Sequence, residues 1–250
     1  MATAGRIAKL AGGTVVYAGG VLLAYEVSCP KPPLPSQQCR CCTFDKLAPS
    51  YDKEIEMDEK TSGIVALREE LAARARGRVL EVAGGTGRNL AFYDRTSVSE
   101  LVLADASESM LKVAAQKVAL LLTDGGAGAQ RNVSNVTLAV TDAAAMPLAS
   151  ESFDTVVDTF GLCSFENPAE ALREMRRCCK PGGRVLLLEH GVSDWSLLAW
   201  WQQHRLNRHV VKWGCYWNRD ILQLVRDSGL RVEEVRRKHM GTTYFIVAQA

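Results

Sequence analysis

The sequence predicts a doubly wound α/β fold with a mostly parallel, seven-stranded sheet, preceded by one N-terminal hydrophobic helix. Three observations predict it. Short, continuously apolar runs alternate with amphipathic segments, a glycine-rich turn follows the first of these runs, and the chain closes on two strand-like runs joined by Met240-Gly241. Strands that are apolar on both faces belong to a parallel sheet covered by helices on both sides.

The N-terminal segment comes first. No acidic side chain precedes Glu26, while Arg6 and Lys9 give the start a basic character. The uncharged stretch from Leu10 to Tyr25 spans about 24 Å as a helix, enough to cross a hydrocarbon core of about 30 Å with snorkelling flanks. Residues 1–28 therefore read as a membrane anchor or targeting segment, and a basic, acid-free start suits a mitochondrial inner membrane. Residues 29–43, with Pro30, Pro32, Pro33 and Pro35, form a stiff linker, and residues 44–250 form the catalytic domain.

Within that domain, Asp58 to Ala75 has helical periodicity. Arg78–Gly84 is a first strand, followed by the glycine turn and an expected helix. Leu101–Asp105 is a second strand, and a helix over 107–122 follows it. Val136–Ala143, Phe153–Gly161 and Arg184–Gly191 supply three more strands. Between the last two, the segment from Asn167 to Gly183 has proline near its start and glycine past its end, the asymmetry of a helix. A further helix over 217–230 precedes the closing strands, Arg231–His239 and Thr242–Ala250.

Composition excludes some classes of function. With a net charge of +2, nothing demands nucleic acid as a partner. Eight cysteines in 250 residues are too few and too uneven for a disulfide scaffold. Cys29, Cys39, Cys41 and Cys42 crowd together without the paired spacing of a zinc site, and no metal is expected.

The chemistry gathers at the strand ends. In Val82-Ala83-Gly84-Gly85-Thr86-Gly87, glycine lets backbone approach a ligand at the C-terminal end of the first strand. Leu90 stands where a dinucleotide fingerprint needs its third glycine, which argues against a nicotinamide cofactor. Asp105 ends the second strand, 20 residues beyond Gly85, where a carboxylate can accept both hydroxyls of a ribose. Asp142 and Ala143 follow the third strand and read either as an adenine edge or as a loop cap.

Taken in order, EVAGGTG, LVLADASESML, VTDAAAMPLASESFDTVV and LREMRRCCKPGGRVLLLEHG resemble the motifs of class I S-adenosylmethionine-dependent methyltransferases, which have a Rossmann-like fold. The ubiquinone and menaquinone biosynthesis group is especially similar, as are membrane-anchored relatives of the mitochondrial oxidase-assembly-suppressor and thiol methyltransferase types. The resemblance covers about Phe44 to Ala250 and implies S-adenosyl-L-methionine as cofactor. It further implies that Glu81, Ala83, Gly84, Gly85 and Gly87 hold the methionine end, and that Asp105 holds the ribose. Ala106 and Met110 would pack on the adenine, with Asp142 and Ala143 at its edge. Tyr51 would help close the pocket, and Phe160 with Gly161 would face the methyl group.

Methyl transfer asks for alignment and exclusion of water more than for side-chain chemistry. For an acidic acceptor a base helps, and Glu189 and His190, at the end of the fifth strand, are the candidates. His204 and His209 read as structural. The segment from Trp195 to Trp217 holds all five tryptophans and reads as a lid that lines an acceptor pocket, rests on a membrane interface or packs on the sheet. The expected function is methyl transfer to a lipophilic small molecule, a quinone precursor or a thiol, at a mitochondrial membrane. The alternative is an assembly or scaffold factor of the same fold, with protein partners and little turnover.

Overall fold

The computed structural model describes residues 30–94, 96–123 and 135–250. The expected anchor over 1–28 lies outside them. No helix among the described residues is long and apolar enough to cross a membrane. Residues Leu34–Ala250 form one compact unit, so the expected linker segment joins it from Leu34 and is helical from Gln37.

Three helices lead in: α1 (Gln37–Leu47), α2 (Tyr51–Ser62) and α3 (Ile64–Ala72). The alternating core follows as β1 (Gly77–Val82), β2 (Val98–Asp105), α4 (Glu108–Thr123), β3 (Val136–Val140), β4 (Phe153–Thr159), α5 (Pro168–Cys178) and β5 (Cys179–His190). Then come α6 (Ser196–Trp213), α7 (Ile221–Asp227), β6 (Arg231–Lys238) and β7 (Thr243–Gln249). The seven strands form one sheet in the order β3-β2-β1-β4-β5-β7-β6. Strands β1 to β5 pair in parallel, whereas β7 runs antiparallel to both β5 and β6, so the sheet is mixed. The order reverses between β1 and β4, and ligands of such sheets bind outside the strand ends at that point.

Strand alternation divides the core in two. Leu80, Val82, Val156, Val185 and Leu187 meet α5 and α7 on one face through Leu172, Met175, Ile221 and Val225. Val79, Leu101, Leu103, Val157, Leu186 and Leu188 meet α3 and α4 on the other through Leu71, Leu111 and Ala114. Helix α5 starts as its sequence requires: Asn167 accepts the Glu170 amide, Pro168 occupies the first turn, and Arg176 and Arg177 complement the C-terminal dipole.

Two expectations are corrected. The helix expected over 58–75 is broken at Gly63, whose left-handed φ of 80° caps α2 and starts α3 in a new direction. The helix expected after the glycine turn is a short 3-10 turn, Leu90–Phe92. The turn is closed by the Gly87 amide on the Gly84 carbonyl and the Leu90 amide on the Gly87 carbonyl. Gly85 and Gly87 both have positive φ there, which no helix accommodates.

Candidate active site

At the C-terminal ends of β1, β2 and β4 lies a cavity of about 400 Å³, within the size range of small-molecule sites. Its floor is the glycine turn. A Cβ at Gly85 meets only the Ala83 carbonyl oxygen, at 3.9 Å, so this backbone faces open space, whereas a Cβ at Gly84 runs into Leu103 at 2.4 Å. Ala83 itself sits at φ 49° and Phe160 at φ 63°. Such left-handed backbone is unfavourable for residues with a side chain and clusters at ligand sites.

Asp105 forms one wall. Its Oδ2 accepts the Gly85 amide at 2.9 Å and its Oδ1 accepts the Ser107 amide at 2.8 Å. Each oxygen keeps lone-pair capacity for a further donor. Burial raises its pKa above the usual value against the pull of the Ser107 and Gly85 amides. Met110 and Ala143 are buried in the adjoining wall, Ala106 is exposed beside Asp105, and Asp142 accepts the Ala144 amide at 2.9 Å. The Asp142 carboxylate thus caps its own loop while lining the cavity.

Helices α1 and α2 close the cavity from above with Phe44 and Tyr51. Burial pushes the Tyr51 phenol up to about 12, which keeps it protonated. A charge network clamps α2 to the glycine turn. Arg68 pairs with Glu59 at 2.8 Å, Arg88 pairs with Glu59 at 2.8 Å and with Asp52 at 3.2 Å, and Lys117 pairs with Asp52 at 2.5 Å. Thr86 donates to Asp52 at 2.6 Å. Burial works against ionised Asp52, but Lys117 and Thr86 hold it below the ordinary carboxylate range. Three cations and two carboxylates leave the network with one surplus positive charge beside the cavity.

The cavity therefore brings together Tyr51, Ala83, Gly84, Gly85, Asp105, Ala106, Met110, Asp142, Ala143 and Phe160. Two expected ligand residues lie beneath its lining. The buried Glu81 carboxylate accepts Asn89 Nδ2 and the Tyr93 hydroxyl, each at 2.9 Å, and burial pushes it up to about 7. Gly87 shapes the turn, since a Cβ there meets Leu90 at 2.4 Å.

Glu189 and His190 are also outside the lining, and strand alternation sends them apart. Glu189 follows Val185 and Leu187 and is wholly buried. It accepts the Gly161 amide at 3.3 Å and the Cys163 amide at 3.2 Å, while Asp158 accepts the Leu162 amide at 3.0 Å. Burial pushes Asp158 up, and burial together with the Asp158 charge pushes Glu189 up. The two carboxyls thus hold the loop after β4. His190 is half-buried, with its ring 4.3 Å from that of Phe160.

Helix α6, in the segment expected to form a lid, is stapled by Gln202, which donates to the carbonyls of Gly191 and Trp217 at 3.0 and 2.7 Å and accepts the Ser193 amide at 2.8 Å. None of the five tryptophans lines the cavity. Trp195 and Trp200 are exposed, His204 stacks on Trp200, and His209 stacks on Trp217 at 3.8 Å. Burial lowers His209 to about 4, so its ring is neutral.

Arg68 was not anticipated. It is buried, lines the cavity, donates to Asn89 and Thr159 at 3.1 and 2.8 Å, and lies 4.9 Å from the Phe160 ring centre. Its signal was a charge on an apolar helical stripe, Ile64, Arg68, Leu71 and Ala75, where a buried cation needs partners. A cluster of Cys163, His190 and Cys215 was likewise unforeseen, because its members come from segments far apart in sequence.

Residues 56–235 match a family model described as a methyltransferase domain. The chain is 34% identical over 219 residues to the mitochondrial methyltransferase OMS1 of Saccharomyces cerevisiae, an overlap of 82% of this chain and 45% of that protein. It is 37% identical over 163 residues to the ubiquinone/menaquinone biosynthesis C-methyltransferase UbiE of Pseudomonas paraeruginosa, covering 62% of this chain and 59% of that one. The chain thus spans about half the length of these relatives. A S-adenosylmethionine-dependent methyltransferase from Thermotoga maritima shares the fold, with a TM-score of 0.59 at 20% identity over 83% of this chain and 98% of that one.

Proposed function

The chain belongs to the methyltransferase-domain family, and from that membership we propose that it transfers the methyl group of S-adenosylmethionine to a lipophilic small molecule, a quinone precursor or a thiol, at a mitochondrial membrane. The observation that carries this reading is the Asp105 carboxylate, fixed by the Gly85 and Ser107 amides at the wall of a cavity beside the sheet's switch point.

The residues present fit the cofactor. Bound there, S-adenosylmethionine supplies an electrophilic sulfonium methyl group. Asp105 accepts the ribose hydroxyls with the lone pairs its two amide bonds leave over. Met110 and Ala143 offer apolar contact to the adenine. The surplus positive charge of the Arg68, Arg88 and Lys117 network suits the methionine carboxylate. Tyr51 and Phe44 close over the cavity and exclude water, and the Phe160 ring forms the wall on the acceptor side. Apolar lining from Phe44, Val82, Phe160 and Phe165 favours a lipophilic acceptor. OMS1 is mitochondrial by name and UbiE acts in quinone biosynthesis by name, which supports the compartment and the acceptor class. The hydrophobic segment between residues 7 and 27 would hold the domain at the membrane.

Calorimetric titration of S-adenosylmethionine into the full chain in detergent tests the cofactor, with Asp105→Ala as control. A labelled-methyl screen of quinols and thiols then tests the acceptor. Saturable binding lost in the variant, followed by label in a quinol or thiol, is expected. A folded protein that binds no cofactor sinks the proposal, and binding without transfer to either class replaces it with the assembly-factor reading.

A further inference from the structure

Behind the Phe160 wall, three metal-ligating side chains converge from three segments. Cys163 comes from the loop after β4, His190 from the end of β5, and Cys215 from the residue after the Gly214 cap of α6. One donor atom from each lies within 4.8 Å of the other two, and Cys215 Sγ is 3.9 Å from His190 Nδ1. Tetrahedral zinc with Zn–S of about 2.3 Å and Zn–N of about 2.0 Å places two sulfurs about 3.8 Å apart, and sulfur and nitrogen about 3.5 Å apart. The Cys215–His190 separation of 3.9 Å therefore needs to contract by only about 0.4 Å, and no donor pair by more than about 1.3 Å.

The scaffold holds this arrangement from outside the cluster. Glu189 and Asp158 fix the Cys163 loop by its backbone amides. The Tyr216 amide donates to the Cys163 carbonyl at 2.6 Å, and Arg219 donates to the carbonyls of Leu162 and Phe165. Gly214, at φ 68°, turns the chain out of α6 so that Cys215 is buried against that loop. Both thiols are buried, and two cysteines beside a histidine form a donor set that matches a borderline-soft cation.

We propose that Cys163, His190 and Cys215 bind one zinc ion, with water in the fourth tetrahedral position. The two thiols each lose a proton to solvent on binding, so a divalent cation replaces two protons and the site's charge is unchanged; neutral His190 contributes its Nδ1 lone pair. The ion fastens the loop after β4, the end of β5 and the segment after α6 to one another. Because the Phe160 ring lies against His190, it also fixes that wall of the cavity. This site does not depend on the methyl-transfer reading.

The test uses the full chain, purified with reduced thiols, and cobalt(II) as a spectroscopic stand-in for zinc. We expect about one zinc per chain by elemental analysis. Cobalt reconstitution should give thiolate-to-metal charge-transfer absorption and the intense visible bands of a tetrahedral ion. A chain with Cys29, Cys39, Cys41 and Cys42 changed to serine should keep these signals, as should Cys178→Ser with Cys179→Ser. Cys163→Ser with Cys215→Ser should lose them. If that double variant fails to fold, His190→Gln serves instead, and should weaken zinc affinity at least about tenfold with an unchanged circular-dichroism spectrum. A reduced, folded chain that takes up neither metal overturns the proposal. So do signals that vanish with the N-terminal cysteines, or a Cys163–Cys215 disulfide in the metal-free protein under these reducing conditions.

Discussion

Changing Asp105 to Asn removes one negative charge and almost no volume. In the protein each carboxylate oxygen already accepts one amide, from Gly85 at 2.9 Å and from Ser107 at 2.8 Å. Asparagine has a single acceptor oxygen, so its NH2 must face one of these amides, donor against donor, and can accept no ribose hydroxyl on that side. The remaining oxygen loses its charge. A hydrogen bond to a charged group contributes about 1.5–3 kcal/mol, so losing one and weakening the other costs about 2–4 kcal/mol of cofactor binding. That is roughly a 30- to 700-fold rise in Kd. Stability moves less, because burial already disfavours the ionised carboxylate and the lost charge offsets the misplaced donor. Calorimetric titration of S-adenosylmethionine beside a thermal melt measures both quantities. A 3′-deoxyribose analogue closes the cycle: it should bind the wild-type chain much more weakly, but the variant only slightly more weakly. A variant that melts like wild type and binds within threefold of it would refute ribose recognition by Asp105.

Three further outcomes follow from the site and its supports. Glu81 has its pKa raised from 4.5 to about 7 in the folded chain; the folded state then holds the proton longer, so the stability it lends is complete below about pH 4.5 and fades as pH rises through about 7. Urea unfolding at pH 5 and pH 8 should therefore show a fall that is smaller by about 2.5 kcal/mol in Glu81→Gln than in wild type, and equal falls in the two would contradict the burial. Gln202→Ala strands the buried Ser193 amide and the carbonyls of Gly191 and Trp217, which should cost about 3 kcal/mol by denaturation and speed hydrogen exchange at Ser193. In Gly161→Ala the added Cβ falls 2.1 Å from Asp158 Oδ1 and 2.7 Å from the Ala83 Cβ, so a loss of about 1–3 kcal/mol by thermal melting should come with weaker cofactor binding.

The central parallel strands β1, β2, β4 and β5 were legible because their apolar stretches are buried on both faces. Val79–Val82, Leu101–Ala104 and Val185–Leu188 meet helices on either side, and no polar alternation interrupts them. The pocket floor was legible for a related reason. Gly85 serves a turn that only glycine enters without strain, and Asp105 ends a strand at a fixed distance along the chain, so backbone geometry alone places them together. Glu81 was less legible: alternation turns it into the core, where its two oxygens accept from Asn89 and Tyr93.

By itself, then, the sequence determined the α/β fold class, the order of its strands, and the meeting of Gly85 and Asp105 at the ends of β1 and β2. These follow from short-range rules of periodicity and turn chemistry. Only the tertiary structure decided that the run over 58–75 breaks at Gly63, that Glu189 faces inward to hold a loop while His190 faces the other way, and that Arg68 enters the cavity. It alone brought Cys163, His190 and Cys215 within 4.8 Å. Spacings of 27 and 25 residues along the chain carry no local pattern, and their convergence depends on how β4, β5 and α6 pack against one another.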